Sequence, residues 1–221
     1  MERIDESDTL DGINNNTYNA LFIDGPFKSR LVSNDREYLS CAIDKFTELS
    51  DEDIEYVVNN TDVFERVKNG FVAKHNDKKY KFILLDSFFG EDKKEELRSS
   101  RRHGKCVQTS IGMAYTAKED CKVAVGYLDD SMDRVLHAVF VDCSSDEEYV
   151  FDFSKNLVMR KEDYCDLQDY RIINEIKGED IKKDMKVLKT ISFLASKLYL
   201  CYRNEIMKDL KKNKKMLKLD I

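Results

Sequence analysis

The chain has 221 residues, 42% apolar and 36% charged, with 12 Phe, 11 Tyr and no Trp. That aromatic content excludes a disordered body, and the length suits one α+β unit with a sizeable core. The net charge of −6 argues against a dedicated nucleic-acid binder. No stretch reaches the roughly 20 apolar residues of a bilayer-crossing helix, so no membrane partner is expected.

Residues 1–16, ending in Asn14-Asn15-Asn16, read as a flexible polar arm. Residues 17–221 read as a single α+β domain, because one proline and eight glycines leave no linker to divide it. The opening Met1-Glu2-Arg3-Ile4-Asp5-Glu6 is charged where a signal peptide would be apolar, so a cytoplasmic protein with reduced thiols is expected.

Asn34 is placed to cap a helix running to about Leu49, with Tyr38, Leu39, Ala42, Ile43 and Phe46 on one face. Ser50 before Asp51-Glu52-Asp53 starts a second helix, and Thr61 a third that stops at Gly70. The runs Phe71–Lys74 and Tyr80–Leu85 form a hairpin across Asn76-Asp77-Lys78-Lys79. A charged helix from Asp92 to about Arg102 leads into Gly104-Lys105-Cys106, after which Val107–Ala117 suits a mostly buried helix. Strands follow at Lys122–Leu128, Arg134–Asp142 and Glu148–Phe153, the last two joined by a short polar turn.

Beyond them come a short helix near Lys161–Asp169, a strand near Arg171–Ile176 and a long helix from Glu179 to about Lys215. Ile181, Met185, Leu188, Ile191, Ala195 and Leu198 make that helix apolar at spacings of three and four, a core face or the seam of a homo-oligomer or protein partner. Charge is uneven. Residues 1–60 hold 14 acidic and 5 basic side chains, a net of −9, whereas residues 177–221 hold 13 basic and 6 acidic, a net of +7. The six lysines within Lys208–Lys218 read as a solvated helix end, favourable to the helix dipole.

The six cysteines include no CxxC pair. His103 and Cys106 stand three apart, but a zinc site needs four ligands and no second pair has metal spacing, so neither metal nor cofactor is expected. Cys106 is different in kind from the other five. A cysteine at the head of a helix meets unpaired N–H groups that favour a thiolate and can receive an oxyanion. Gln108 is a further candidate for the oxyanion site. Taken alone, Cys106 reads as a core-filling thiol rather than a nucleophile.

His137 and Asp152 shift that balance. His137 interrupts the apolar run Val135–Val141, and Asp152 interrupts Tyr149–Phe153. Burying such groups without partners costs several kcal/mol, on an order-of-magnitude scale. With a turn centred near 145 and 146, position 139 faces 152, and His137 and Asp152 become diagonal neighbours on one face. A slip of one residue would part them.

Gly104-Lys105-Cys106 at a helix head, Val123–Tyr127, Leu136-His137-Ala138-Val139 and Tyr149-Val150-Phe151-Asp152 together resemble the transglutaminase-like branch of the papain-like cysteine enzymes. The match spans about residues 100–160. It implies a core at about 92–177 with a helical N-terminal region, an antiparallel sheet and a long C-terminal helix. It also implies Cys106 as nucleophile, His137 as base, Asp152 as orienting group, and a protein or peptide amide as substrate. The chain departs from that family in having Ala138 where Trp often follows the histidine, and Phe153 where Pro commonly follows the aspartate. Hydrolysis and acyl transfer both stay open. So does a non-catalytic protein-binding module on the same fold. Arg102-His103-Gly104-Lys105-Cys106 echoes the arylamine N-acetyltransferases less closely.

Overall fold

The computed structural model describes residues 35–75, 77–89, 105–129 and 134–188, with isolated positions between 191 and 208. The expected polar arm, the charged helix before Arg102, His103, Gly104 and the lysine-rich end beyond Lys208 lie outside the described residues. The chain forms two compact units, Met1–Leu84 and Leu85–Ile221. Both mix helices with antiparallel strands, an α+β composition.

In the first unit, helix α1 (Asp35–Phe46) and helix α2 (Asp51–Asn60) precede strands β1 (Phe64–Val67), β2 (Gly70–His75) and β3 (Lys78–Leu84). Ser50 caps α2 as expected: its Oγ accepts from the Asp53 N–H at 3.2 Å. Leu39, Ile43 and Phe46 of α1 and Ile54 and Val57 of α2 are buried. The Phe46 ring lies 4.2 Å from Phe64, 4.9 Å from Phe71 and 5.6 Å from Phe82, an aromatic core for the β1-β2-β3 meander.

The helix expected from Thr61 is instead an extended C-cap followed by β1. Phe64 there pairs with Ala73 and buries its ring. Gly70 turns the chain back at φ +126, where a Cβ would collide with the Phe82 carbonyl oxygen, so this glycine opens a strand rather than closing a helix.

The second unit begins with a 3-10 turn, Leu85–Phe88, and continues after the undescribed segment with helix α3 (Cys106–Thr116). Strands β4 (Cys121–Asp129), β5 (Arg134–Asp142), β6 (Tyr149–Asp152) and β7 (Leu157–Arg160), helix α4 (Lys161–Leu167), strand β8 (Tyr170–Lys177) and helix α5 (Gly178–Leu188) follow. The strands run antiparallel in the order β7-β6-β5-β4-β8. Strand β7 is too short to announce itself by alternation, and pairing with β6 is what holds it extended.

One sheet face carries Val123, Val125, Ala138 and Phe140, which pack with Val107, Ile111 and Ala114 of α3 and with Ile181 and Met185 of α5. Helix α5 is described only to Leu188; positions 191, 195, 196, 198, 200, 204 and 208 are helical, and the rest of the long helix expected to about Lys215 lies outside the described residues. Among the described residues no helix is long and apolar enough to cross a membrane.

Candidate active site

The β5–β6 hairpin sets the site's frame. Phe140 pairs with Phe151, Val141 with Val150 and Asp142 with Tyr149, so Val139 stands level with Asp152. This is the register that places His137 and Asp152 on one face. Their side chains meet: His137 Nε2 lies 2.8 Å from Asp152 Oδ2, with the two residues 5% and 1% exposed.

Asp152 is held by more than the imidazole. Its Oδ2 also accepts from the Tyr164 hydroxyl at 2.6 Å. Its Oδ1 accepts from the Ser154 N–H at 2.9 Å, the Ser154 hydroxyl at 2.6 Å and the Lys155 N–H at 3.2 Å. Both oxygens of a buried carboxylate are thus satisfied, and its orientation is fixed from two sides.

Cys106 opens α3. Its neighbour Lys105 occupies the N-cap at φ −109 and ψ 6, and its side chain makes no capping bond to the first-turn N–H groups. Because α3 packs through Val107 and Ile111 against Ala138 and Phe140, its N-terminal end comes to the middle of β5. The Ser110 hydroxyl donates to the Ala138 carbonyl at 3.0 Å and locks that docking. This brings the Cys106 thiol close enough to His137 and the Ala138 backbone for both to act on its ionisation. With Nε2 committed to Asp152, Nδ1 is the ring nitrogen left for the sulfur.

Tyr170 of β8 supports the ring from behind. It lies 5.9 Å from His137 at 80°, and its hydroxyl sits 2.9 Å from the Ala124 carbonyl and 3.1 Å from that of His137. Gly126 pairs with His137 across β4 and β5. A Cβ there would collide with the Arg171 carbonyl and lie 3.0 Å from Ile172 Cα, so only glycine lets β8 approach this closely.

The electrostatics follow from these contacts. Burial pushes the Cys106 thiol up, but the hydrogen bond and charge of His137 and the bond to Ala138 outweigh it, and the thiol titrates below its ordinary value. Burial pushes His137 down, while Asp152 and the sulfur overcome that and raise it to about 10. Burial likewise opposes ionisation of Asp152, yet His137, Ser154 and Tyr164 hold it well below the usual carboxylate range. The three groups together favour a thiolate–imidazolium pair backed by a carboxylate.

Cys106, His137 and Asp152 are therefore brought together. Gln108 is not: it is half-buried, about 200° round the helix from Cys106, and among the described residues no hydrogen bond joins it to the other three. Cys121, Cys143 and Cys165 have raised thiols, each with burial as the leading cause. Among the described residues no group of three or more His, Cys, Asp or Glu side chains is arranged to hold a metal ion. Sequence reasoning missed Ser110, Ser154, Tyr164 and Tyr170. Ser154 was open to discovery, since Asp-x-Ser is an Asx-turn pattern; the tyrosines carry no local signal of their role.

No protein-family model, curated protein or solved structure matches the chain. The chemistry of the site rests on its own geometry.

Proposed function

We propose that the protein is a cysteine-dependent acyl-transfer enzyme with a papain-like, transglutaminase-like core, acting on an amide of a protein or peptide. The observation that carries this reading is the His137 ring bonded at 2.8 Å to a fully hydrogen-bonded Asp152, with the Cys106 thiol at the head of α3 near enough for both to act on its charge. A carboxylate held this way keeps the imidazole in one orientation and stabilises its cation, as acyl-transfer triads require.

In the first half-reaction the Cys106 sulfur bonds to the carbonyl carbon and the C=O π pair moves onto oxygen. In this reading the Cys106 backbone N–H, free at the head of a helix, receives that oxyanion. Collapse breaks the C–N bond, and the leaving amine takes the proton from His137 Nδ1, leaving a thioester. In the second half-reaction water or an amine attacks the thioester while His137 takes its proton, and the thiolate departs. Water gives a carboxylic acid and an amine gives a new amide; the same residues serve both.

Alkylation by iodoacetamide across a pH series, with the modified peptides identified by mass, tests the proposal. Cys106 should react with a midpoint below the ordinary thiol value of about 8.5, and His137→Ala should return it to that value or higher. Peptide-amide or ester turnover should disappear in Cys106→Ala with the fold unchanged. A Cys106 that alkylates like any ordinary thiol, with no turnover detected, would leave a protein-binding role in place of the enzyme, and a turnover that survives its removal would end the Cys106 mechanism.

A further inference from the structure

Asp152 Oδ2 has two donors, and one of them is not part of the nucleophile–base–acid series. Tyr164, fully buried on α4, reaches this oxygen at 2.6 Å while His137 Nε2 reaches it at 2.8 Å. The other oxygen is anchored separately by Ser154 and Lys155. Tyr164 is therefore not needed merely to keep the carboxylate in place. Its ring packs edge-on against Tyr170 at 5.6 Å, and Tyr170 in turn packs against His137, so the hydroxyl is delivered from a rigid stack.

We propose that Tyr164 is a positioning residue that acts through Asp152, sharing the oxygen used by His137 and limiting how strongly the carboxylate holds the imidazolium. This rests on the acyl-transfer reading of the site. Donation from a neutral hydroxyl draws electron density from Oδ2, so the His137 N–H meets a weaker acceptor than a free carboxylate would offer. The balance matters in the first half-reaction. An imidazolium gripped too firmly is a poor acid toward the leaving amine, and one gripped too loosely does not sustain the thiolate.

The groups facing His137 are Cys106 from α3, Asp152 from β6 and Tyr170 from β8; Asp152 is faced by His137, Ser154 and Tyr164. Tyr170 stays protonated through the working range, because burial raises its phenol well above the ordinary value. Cys106, His137 and Asp152 are left as the titrating groups that shape the profile.

The test is Tyr164→Phe, which removes one hydroxyl and keeps the ring stack. Two readouts are needed: the pH profile of Cys106 alkylation and the His137 Nε2–H proton resonance. With the competing donor gone, Asp152 should hold the imidazolium more strongly, so the alkaline limb of the thiolate–imidazolium window should move up and the N–H resonance downfield. The acid limb should not move down, since a fuller Asp152 charge opposes the thiolate, and kcat should fall on the order of tenfold at unchanged KM.

Ser154→Ala, which unloads the other oxygen, should move the resonance less. An alkaline limb and a resonance left at their wild-type positions, or an alkaline limb moved down, overturn the proposal. So does Ser154→Ala moving the resonance as far. Should Tyr164→Phe not fold, wild-type protein labelled with 3-fluorotyrosine, a stronger donor, should shift the resonance upfield. An unmoved signal there gives the same refutation. A wild-type Cys106 that alkylates like an ordinary thiol would instead sink the acyl-transfer reading itself, so the two failures are distinguishable.

Discussion

Replacing Asp152 by Asn is the most informative perturbation of the site, because the surroundings dictate how the amide must lie. The Oδ1 position faces two backbone N–H groups and the Ser154 hydroxyl, all donors. The amide oxygen stays there, since a flip would point NH2 at those same donors. The NH2 group then occupies the Oδ2 position and faces His137 Nε2 and the Tyr164 hydroxyl. His137 is forced to accept at Nε2 and carry its proton on Nδ1, toward the sulfur, as a neutral ring.

The rise of His137 from 6.5 to about 10 corresponds to roughly 5 kcal/mol of preference for the cation, shared between Asp152 and Cys106. Removing one partner of such a buried pair typically costs about 3–5 kcal/mol. The pH dependence has a definite sign. A raised histidine stabilises the fold fully below its ordinary 6.5, and that contribution is lost as pH rises through about 10. A depressed Asp152 contributes above its ordinary 3.8 and loses this only on strong acidification. Urea unfolding at pH 6 should therefore show the full deficit of Asp152→Asn, narrowing as pH approaches 10, and Tm at pH 6 should fall on the order of 10 °C. Cys106 should lose its low-pH alkylation in the same variant. Equal stability at pH 6 together with unchanged alkylation would refute the ion-pair account of the site.

Three further outcomes follow from other contacts. Ser110→Ala removes the bond that docks α3 on β5 and should cost about 1–2 kcal/mol in urea unfolding, with slower Cys106 alkylation at pH 6; an unmoved alkylation rate would mean that packing alone sets the sulfur's position. Gly126→Ala should push β8 and Tyr170 away from His137, costing about 1–3 kcal/mol and lowering turnover; a wild-type Tm would contradict the close approach. Glu148, bonded at 2.5 Å by both Lys122 and Lys161, is lowered to about 2, first by the Lys122 hydrogen bond. Its share of stability is present above the ordinary 4.5 and lost as pH falls through about 2. Glu148→Gln should accordingly be less stable at pH 7 and indistinguishable near pH 2. The same variant should make Cys143 easier to alkylate, because burial and then Glu148 push that thiol up to about 12.

Much of this site was legible before any coordinates. The polar turn at Cys143–Glu147 counts out a register, and that register makes His137 and Asp152 diagonal neighbours. The apolar strings around both residues required each to have a partner. The third helix misread at Thr61 shows the opposite case. Val63-Phe64-Glu65-Arg66-Val67 is too short for periodicity to separate helix from strand, and the deciding interactions are pairing with β2 and burial of Phe64 among rings far along the chain. Gln108 lies about 200° round α3 from Cys106, since proximity in sequence on a helix is not proximity around its axis.

Periodicity and turn chemistry specify the helices and strands whose period is long enough to read, the hairpin register, and the order Cys106, His137, Asp152. Long-range packing is what brings the head of α3 to β5 and closes Tyr164 and Tyr170 around the carboxylate and the ring. Those contacts join residues 12 to 46 positions apart. Their free energy comes from complementary packing of distant surfaces, and no local pattern of side chains encodes which distant surface will be met.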